Sequence, residues 1–177
     1  LMDGRLDADA YVALAGQLLF VYRALESAGD RLASHPVAAA VLDERLRRTP
    51  SLESDLVALG VDPSELSMLP ATADYVAAIE ASAHDAARFV AHHYTRYLGD
   101  LSGGQIIASK LRNLYGVSED ALSFYRFDGI DKLKRYKDCY RDRLDALELG
   151  DEATDALTAE AIRAFEFNQE LFAALER

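Results

Sequence analysis

The chain has 177 residues, of which 50% are apolar and 28% charged with only four prolines, which excludes a disordered, collagen-like or low-complexity polypeptide. Thirty acidic against nineteen basic residues leave a net charge of −11, which argues against nucleic acid as a partner. The single cysteine, Cys139, has no partner for an internal disulfide, and no apolar run approaches the roughly 20 residues that cross a bilayer. Composition therefore predicts one soluble, cytoplasmic domain without a membrane partner.

Asp7 is placed to cap a first helix running to about Ala28, with Tyr11, Leu14, Leu18, Phe20, Val21 and Leu25 as its apolar stripe and Gly29 as its stop. His35-Pro36 opens a shorter segment through Leu42. Thr49-Pro50 starts the next helix, and Gly60 ends it. After a loop holding Pro63 and Pro70, one long helical pattern runs from Thr72 through Tyr75, Ile79, Phe89, Val90 and Tyr94 to Leu98. It meets Gly99, Gly103 and Gly104, resumes through Ile107 and Leu111, and ends at Gly116. Ser118 caps a short turn to Leu122. A basic helix begins near Gly129 with Leu133, Tyr136, Tyr140, Leu144 and Leu147 facing inward. After Gly150, a last helix runs from about Thr154 to Leu175. No stretch alternates apolar and polar residues, so the pattern predicts an all-α domain of irregularly crossing helices.

Metal-ligand spacings are missing: the sequence has neither an H-E-x-x-H pair nor the Glu-x-x-His spacing of di-iron carboxylate bundles. Of the four histidines, the adjacent His92 and His93 point about 100° apart on a helix and do not easily serve one site. His35, His84, His92 and His93 are read as surface or internally satisfied.

The glycine cluster from Gly99 to Gly104 is the most unusual stretch, since each helix-interior glycine costs roughly 1 kcal/mol relative to alanine. Leu101 to Gln105 spells the LSGGQ signature of ABC-type ATPases, but the phosphate loop that signature works beside is not in the chain. Gly99 and Gly103, at i and i+4, either let another helix approach or expose bare backbone on which a flat molecule can lie, with Asp100 beside it. Lys132, Lys134, Arg135, Lys137, Arg141 and Arg143 crowd one later helix. They form a solvated face balanced by Asp138, Asp142 and Asp145, or else Lys137 and Arg141 flank Tyr136 and Tyr140 and meet one anion. A glycine floor, a polar neighbour and a cationic rim together suit a flat, apolar, carboxylate-bearing ligand such as a porphyrin.

The run Tyr94-Thr95-Arg96-Tyr97-Leu98-Gly99-Asp100-Leu101-Ser102-Gly103-Gly104-Gln105 resembles the signature of haem oxygenases. Phe20 to Glu26, Tyr136 to Arg141, and Ala164 to Asn168 with Leu171-Phe172 resemble other parts of that family, in the same order and over nearly the whole chain. The likeness is greatest to the soluble bacterial enzymes. The animal enzymes carry a C-terminal membrane anchor, whereas this sequence stops at Leu175-Glu176-Arg177.

The resemblance implies a haem-oxygenase-like helical fold with a glycine-kinked distal helix, forming a single domain over residues 1–177. It implies haem as both substrate and prosthetic group, with electrons from a reductase or ferredoxin, and release of biliverdin, carbon monoxide and ferrous iron. Gly99 and Gly103 would be the distal backbone against haem, and Asp100 would anchor the water network that delivers protons there. Tyr22, Arg96 and Asn168 would belong to that network. Tyr94, Lys137 and Arg141 would bind the haem propionates. Phe165 and Phe172 would line the pocket or serve as ordinary core. The family's axial histidine belongs upstream of the segment matching Leu1 to Leu6, so the sequence is expected to lack the proximal helix. A non-catalytic haem-binding module is the other reading of such a chain.

Overall fold

The computed structural model describes residues 8–176, and among these there are helices and turns but no strand. The first helix, α1 (Ala8–Arg31), runs past Gly29, which is therefore not a stop. A Cβ added at Gly29 would lie 2.9 Å from Leu42 Cδ2 and 3.3 Å from Phe89 Cζ. Glycine is needed there for close packing rather than for chain reversal. The expected cap, Asp7, lies outside the described residues.

The segment after His35 is a single turn, α2 (Pro36–Ala39), followed by a 3-10 turn at Glu44–Leu46 whose Asp43 carboxylate accepts from Arg45 N at 2.9 Å. Helix α3 (Thr49–Ala58) carries Pro50 in its first turn, and Gly60 beyond it sits at φ 81°, as the sequence pattern requires. Helix α4 (Pro70–Ser82) starts on Pro70 itself, not after it.

The pattern from Thr72 to Leu98 is not one helix. The chain turns after Ser82, and Asp85 caps α5 (Ala86–His93) by accepting from Ala87 N at 3.1 Å and Arg88 N at 3.2 Å. Apolar periodicity carries across this break because both helices present the same side to the core, and Asp85 was the one local sign of it. Helix α5 then passes directly into a π turn, Tyr94–Leu98, and on into α6 (Gly99–Tyr115), which ends at Gly116 with φ 67°. Two 3-10 turns follow, Glu119–Ala121 and Ser123–Tyr125, and the Ser118 side chain makes no cap bond to the first. Helix α7 (Leu133–Asp145) begins at Leu133 rather than near Gly129, leaving Leu147 beyond its end, and α8 (Asp151–Leu175) completes the fold. No helix among the described residues is long and apolar enough to cross a membrane.

Helix α1 lies against α3 and α4, while α5 packs along α8. Their inward faces form one core in which Tyr11, Leu19, Tyr22, Leu25, Leu56, Tyr75 and Phe89 are almost wholly buried. Asp55 of α3, fully buried, seats the Ser123–Tyr125 turn: its carboxylate accepts from Ser123 N and Phe124 N, both at 2.8 Å, and from Ser123 Oγ at 2.5 Å. Arg48 holds the same turn from another side, donating to the carbonyls of Phe124 at 3.1 Å and Arg126 at 2.6 Å. Asp55→Ala removes three bonds at once and strands two backbone N–H groups. The expected cost is about 3 kcal/mol, read by urea unfolding.

Both histidines at the end of α5 are buried; each has one ring nitrogen paired, and His92 Nδ1 is buried without a hydrogen-bond partner among the described residues. His92 Nε2 lies 2.9 Å from Glu160 Oε1, whose other oxygen accepts from Arg88 at 2.9 Å, and His93 Nδ1 lies 2.8 Å from the Tyr140 hydroxyl. Burial, helped by the Arg143 charge and opposed by Asp43, pushes the His93 pKa down to about 3. The folded value lies below the unfolded one near 6.5, so the folded state refuses a proton that the unfolded chain takes up. Stability should therefore fall as pH drops from 6.5 toward 3. Between pH 7 and pH 5 this residue alone should remove about 2 kcal/mol, and His93→Gln should flatten the profile of urea midpoints by that amount.

Candidate active site

One site is built where α1, the π turn, α6 and the Ser123–Tyr125 turn meet the end of α8. A cavity of about 270 Å³ opens there, lined by Leu14, Leu18, Ile107, Phe124 and Phe172 on its apolar side and by Thr95, Arg96 and Asp100 on its polar side. Gly99 also lines it, and a Cβ added at Gly99 would meet nothing within 4 Å among the described residues. At Gly103, one turn on, the nearest atom to such a Cβ is Ile107 Cδ1 at 4.0 Å. Gly104 is different, since its Cβ would sit 3.3 Å from Tyr125 Cδ1. One glycine of the cluster is therefore a packing glycine against the Ser123–Tyr125 turn. Among the described residues nothing covers the backbone of the other two, which is the geometry of a ligand face.

Beside that backbone lies a buried polar network. The Tyr22 hydroxyl, on α1 and wholly buried, donates to Asp100 Oδ2 and accepts from Arg96 Nε and Nη2, each at 3.2 Å. Arg96 Nη2 also reaches Asp100 Oδ1 at 3.4 Å, and its Nη1 donates to Asn168 Oδ1 of α8 at 2.5 Å. Asn168 Nδ2 in turn donates to the Tyr75 hydroxyl at 3.3 Å and to Ala164 O at 2.7 Å. Four helices and the π turn thus contribute to one chain of bonds. Burial raises the Asp100 pKa above the ordinary carboxylate value, against the lowering pull of the Arg96 charge and the Tyr22 hydrogen bond. Burial likewise holds the Tyr22 hydroxyl well above its usual value, so it stays a neutral donor. The Arg96 charge survives burial because Tyr22 and Asp100 surround it, and its pKa is raised.

The structure therefore brings Tyr22, Arg96, Gly99, Asp100, Gly103 and Asn168 together. It treats the basic and aromatic residues less uniformly. Lys137 reaches across to α6, where its Nζ lies 3.3 Å from Ser102 Oγ, whereas Arg141 pairs with Asp138 on its own helix at 3.3 Å. Tyr94 sits partly buried in the π turn, packed against the core. Phe172 lines the cavity, while Phe165, 55% exposed, does not, and neither is core. Sequence reasoning missed Tyr75 as the far end of the network, and Leu14, Leu18 and Phe124 as cavity walls. Tyr75, Leu14 and Leu18 were readable only as apolar positions on a helix face, and Phe124 fell between the expected elements. No histidine among the described residues lines the cavity: His35 caps α2, His84 is exposed, and the other two are held as above.

A sequence model of the heme oxygenase family matches residues 1–174, and with it the chain belongs to the heme oxygenase family. It is 34% identical to heme oxygenase 1 of the cyanobacterium Synechocystis, covering 99% of this chain and 74% of that protein. It is 37% identical to a heme oxygenase of the fish Takifugu rubripes, covering 98% of this chain and 65% of that one. Bacterial and animal relatives therefore stand about equally near. The crystal structure of Synechocystis heme oxygenase-1 in complex with heme superposes with a TM-score of 0.92 over 98% of this chain and 80% of that one, at 35% identity. The heme oxygenase of Leptospira interrogans gives 0.90 over 97% and 85%, at 32% identity.

Proposed function

We propose that the chain binds haem on the Gly99–Gly103 face and, with oxygen and electrons from a reductase or ferredoxin, opens the ring to biliverdin, carbon monoxide and ferrous iron. The observation that supports this most is the uncovered backbone at Gly99 and Gly103 lying directly beside the buried Asp100 network. The residues fit the flat part of haem: bare helix backbone on one side, apolar walls from Leu14, Leu18, Ile107 and Phe172 around it. An axial nitrogen is not supplied by any described histidine. Haem, when bound, supplies the site of oxygen activation. This chain's residues do the rest. Gly99 and Gly103 set how closely anything can stand between ring and helix. Asp100, held by Tyr22 and Arg96, fixes water and hands protons to the distal face. Asn168 and Tyr75 keep the Arg96 guanidinium from turning away. Tyr94, Lys137 and Arg141 hold the ring carboxylates, with Lys137 already directed to α6. The exposed, unpaired Cys139 agrees with a reducing, cytoplasmic setting.

Titrating the protein with hemin and then supplying reductant and oxygen tests the reading. A shifted Soret band followed by biliverdin absorbance is expected. Haem that binds and stays intact would leave only a binding module, and the lack of any Soret shift would remove haem from the account.

A further inference from the structure

Helix α7 has a second face, turned away from Lys137 and Arg141. Lys132, Arg135, Tyr136, Cys139 and Arg143 fall along it and, with Arg45 and Gly129 opposite, line an open cavity of about 570 Å³. That size lies within the range of small-molecule sites, about 300–1,000 Å³. Its lining carries four cations against one carboxylate, Asp131, in a chain whose net charge is −11.

Three of these cations lack the partners that other basic residues have. Arg23, Arg47, Arg88, Arg112 and Arg126 each lie within 4.0 Å of a carboxylate. Lys132, Arg135 and Arg143 have no such carboxylate among the described residues, and Arg143 Nε is buried without a hydrogen-bond acceptor. The fourth is held in position: Asp43 grips Arg45 through Nε at 3.0 Å and Nη2 at 2.6 Å. Its guanidinium lies 5.2 Å from the centre of the Tyr136 ring, and that of Arg143 lies 5.9 Å from the same centre. A Cβ at Gly129 would stand 3.2 Å from Arg45 Cγ, so glycine there leaves Arg45 its place along the wall. The cavity also meets the start of α7, a 13-residue helix whose first turn has no side-chain cap. Its leading N–H groups add donors of the same sign. Planar guanidinium groups, a compact ammonium and free helix amides are together the chemistry that recognises phosphate oxygens.

We propose that this cavity binds a diphosphate group, free or carried on a nucleotide, independently of the haem carboxylate side of the same helix. The volume exceeds what a single phosphate fills, and the unpaired cations are spread from the start of α7, at Lys132 and Arg135, to Arg143 in its last turn rather than gathered at one point.

The lone thiol is a built-in reporter, because Cys139 is exposed and lines the cavity. Alkylation of the full chain by N-ethylmaleimide, an uncharged reagent, is followed by mass spectrometry with inorganic pyrophosphate or ADP added. Pyrophosphate should slow alkylation at least fivefold and saturably. ADP acting at lower concentration than pyrophosphate would support the nucleotide-borne form, and equal potency would support the free group. Lys132→Gln with Arg135→Gln should weaken protection at least tenfold while leaving the hemin titration unchanged. Slowing no greater than that of sodium chloride at matched ionic strength would overturn the proposal, as would protection that persists in the double variant.

Discussion

Replacing Asp100 with alanine should cut the rate of ring opening by about 100-fold or more while leaving haem uptake nearly intact, because a positioned acid–base group contributes about 10²- to 10⁴-fold. The side chain is 11% exposed and lies at the meeting point of the Tyr22 hydroxyl and the Arg96 guanidinium. Burial raises its proton affinity above that of an ordinary carboxylate, while the Arg96 charge and the Tyr22 hydrogen bond pull the other way. Alanine deletes the acceptor but leaves Arg96 its bonds to Tyr22 and Asn168, so the network's frame should persist. Asp100→Asn is the finer instrument. It retains an oxygen for Tyr22 but has no proton to exchange, so geometry and proton delivery separate. Single-turnover biliverdin absorbance after hemin loading is the measurement, and an unchanged rate in both variants would take Asp100 out of the chemistry.

Gly103→Leu should act in the opposite place. A β-carbon there meets Ile107 Cδ1 only at 4.0 Å, and leucine suits a helix better than glycine by roughly 1 kcal/mol. The haem-free protein should therefore be as stable or slightly more stable. Haem, however, would have to lie against an isobutyl group where backbone now stands open. Overpacking of this kind costs about 1–3 kcal/mol, a loss of about 5- to 150-fold in affinity. Gly104→Ala provides the control, because its β-carbon presses the Tyr125 ring at 3.3 Å and should lower stability without approaching the ligand face. Melting temperature and hemin titration on the three proteins decide the matter. A Gly103→Leu protein that binds haem as tightly as the parent would contradict the ligand face.

Much of this was legible in the sequence, for identifiable reasons. Pro50, Gly60 and Gly116 mark ends of helices by backbone chemistry alone, and each marks a real end. Arg96 and Asp100 share a helix face at i,i+4, so their pairing could be read from spacing. Gly29 misled because a glycine that ends a helix and one that lets two helices touch look alike until Leu42 and Phe89 are placed. The break at Asp85 was hidden because both flanking helices bury the same side. Tyr75 reaches the network only through Asn168, 93 residues further on, and no local pattern encodes such a meeting. The role of Asp55 is similar: a carboxylate in the middle of α3 reads as solvent-facing until Ser123 and Phe124 arrive.

The π turn at Tyr94–Leu98 sets the phase of everything downstream. A π turn holds one residue more than the α winding around it, and one residue in an α-helix is about 100° of rotation. Arg96 is anchored within the turn to partners on α1 and α8, whereas Gly103 and Gly104 follow on regular helix. That extra residue decides which way α6 faces as it leaves the turn. It directs Gly104 to Tyr125 and leaves Gly103 clear. With regular winding Gly103 would turn toward Tyr125 and Ser102 would take the open direction, so a floor would become a wall. The protein thus keeps in five residues of irregular backbone an alignment that no side chain of the cavity could restore by itself.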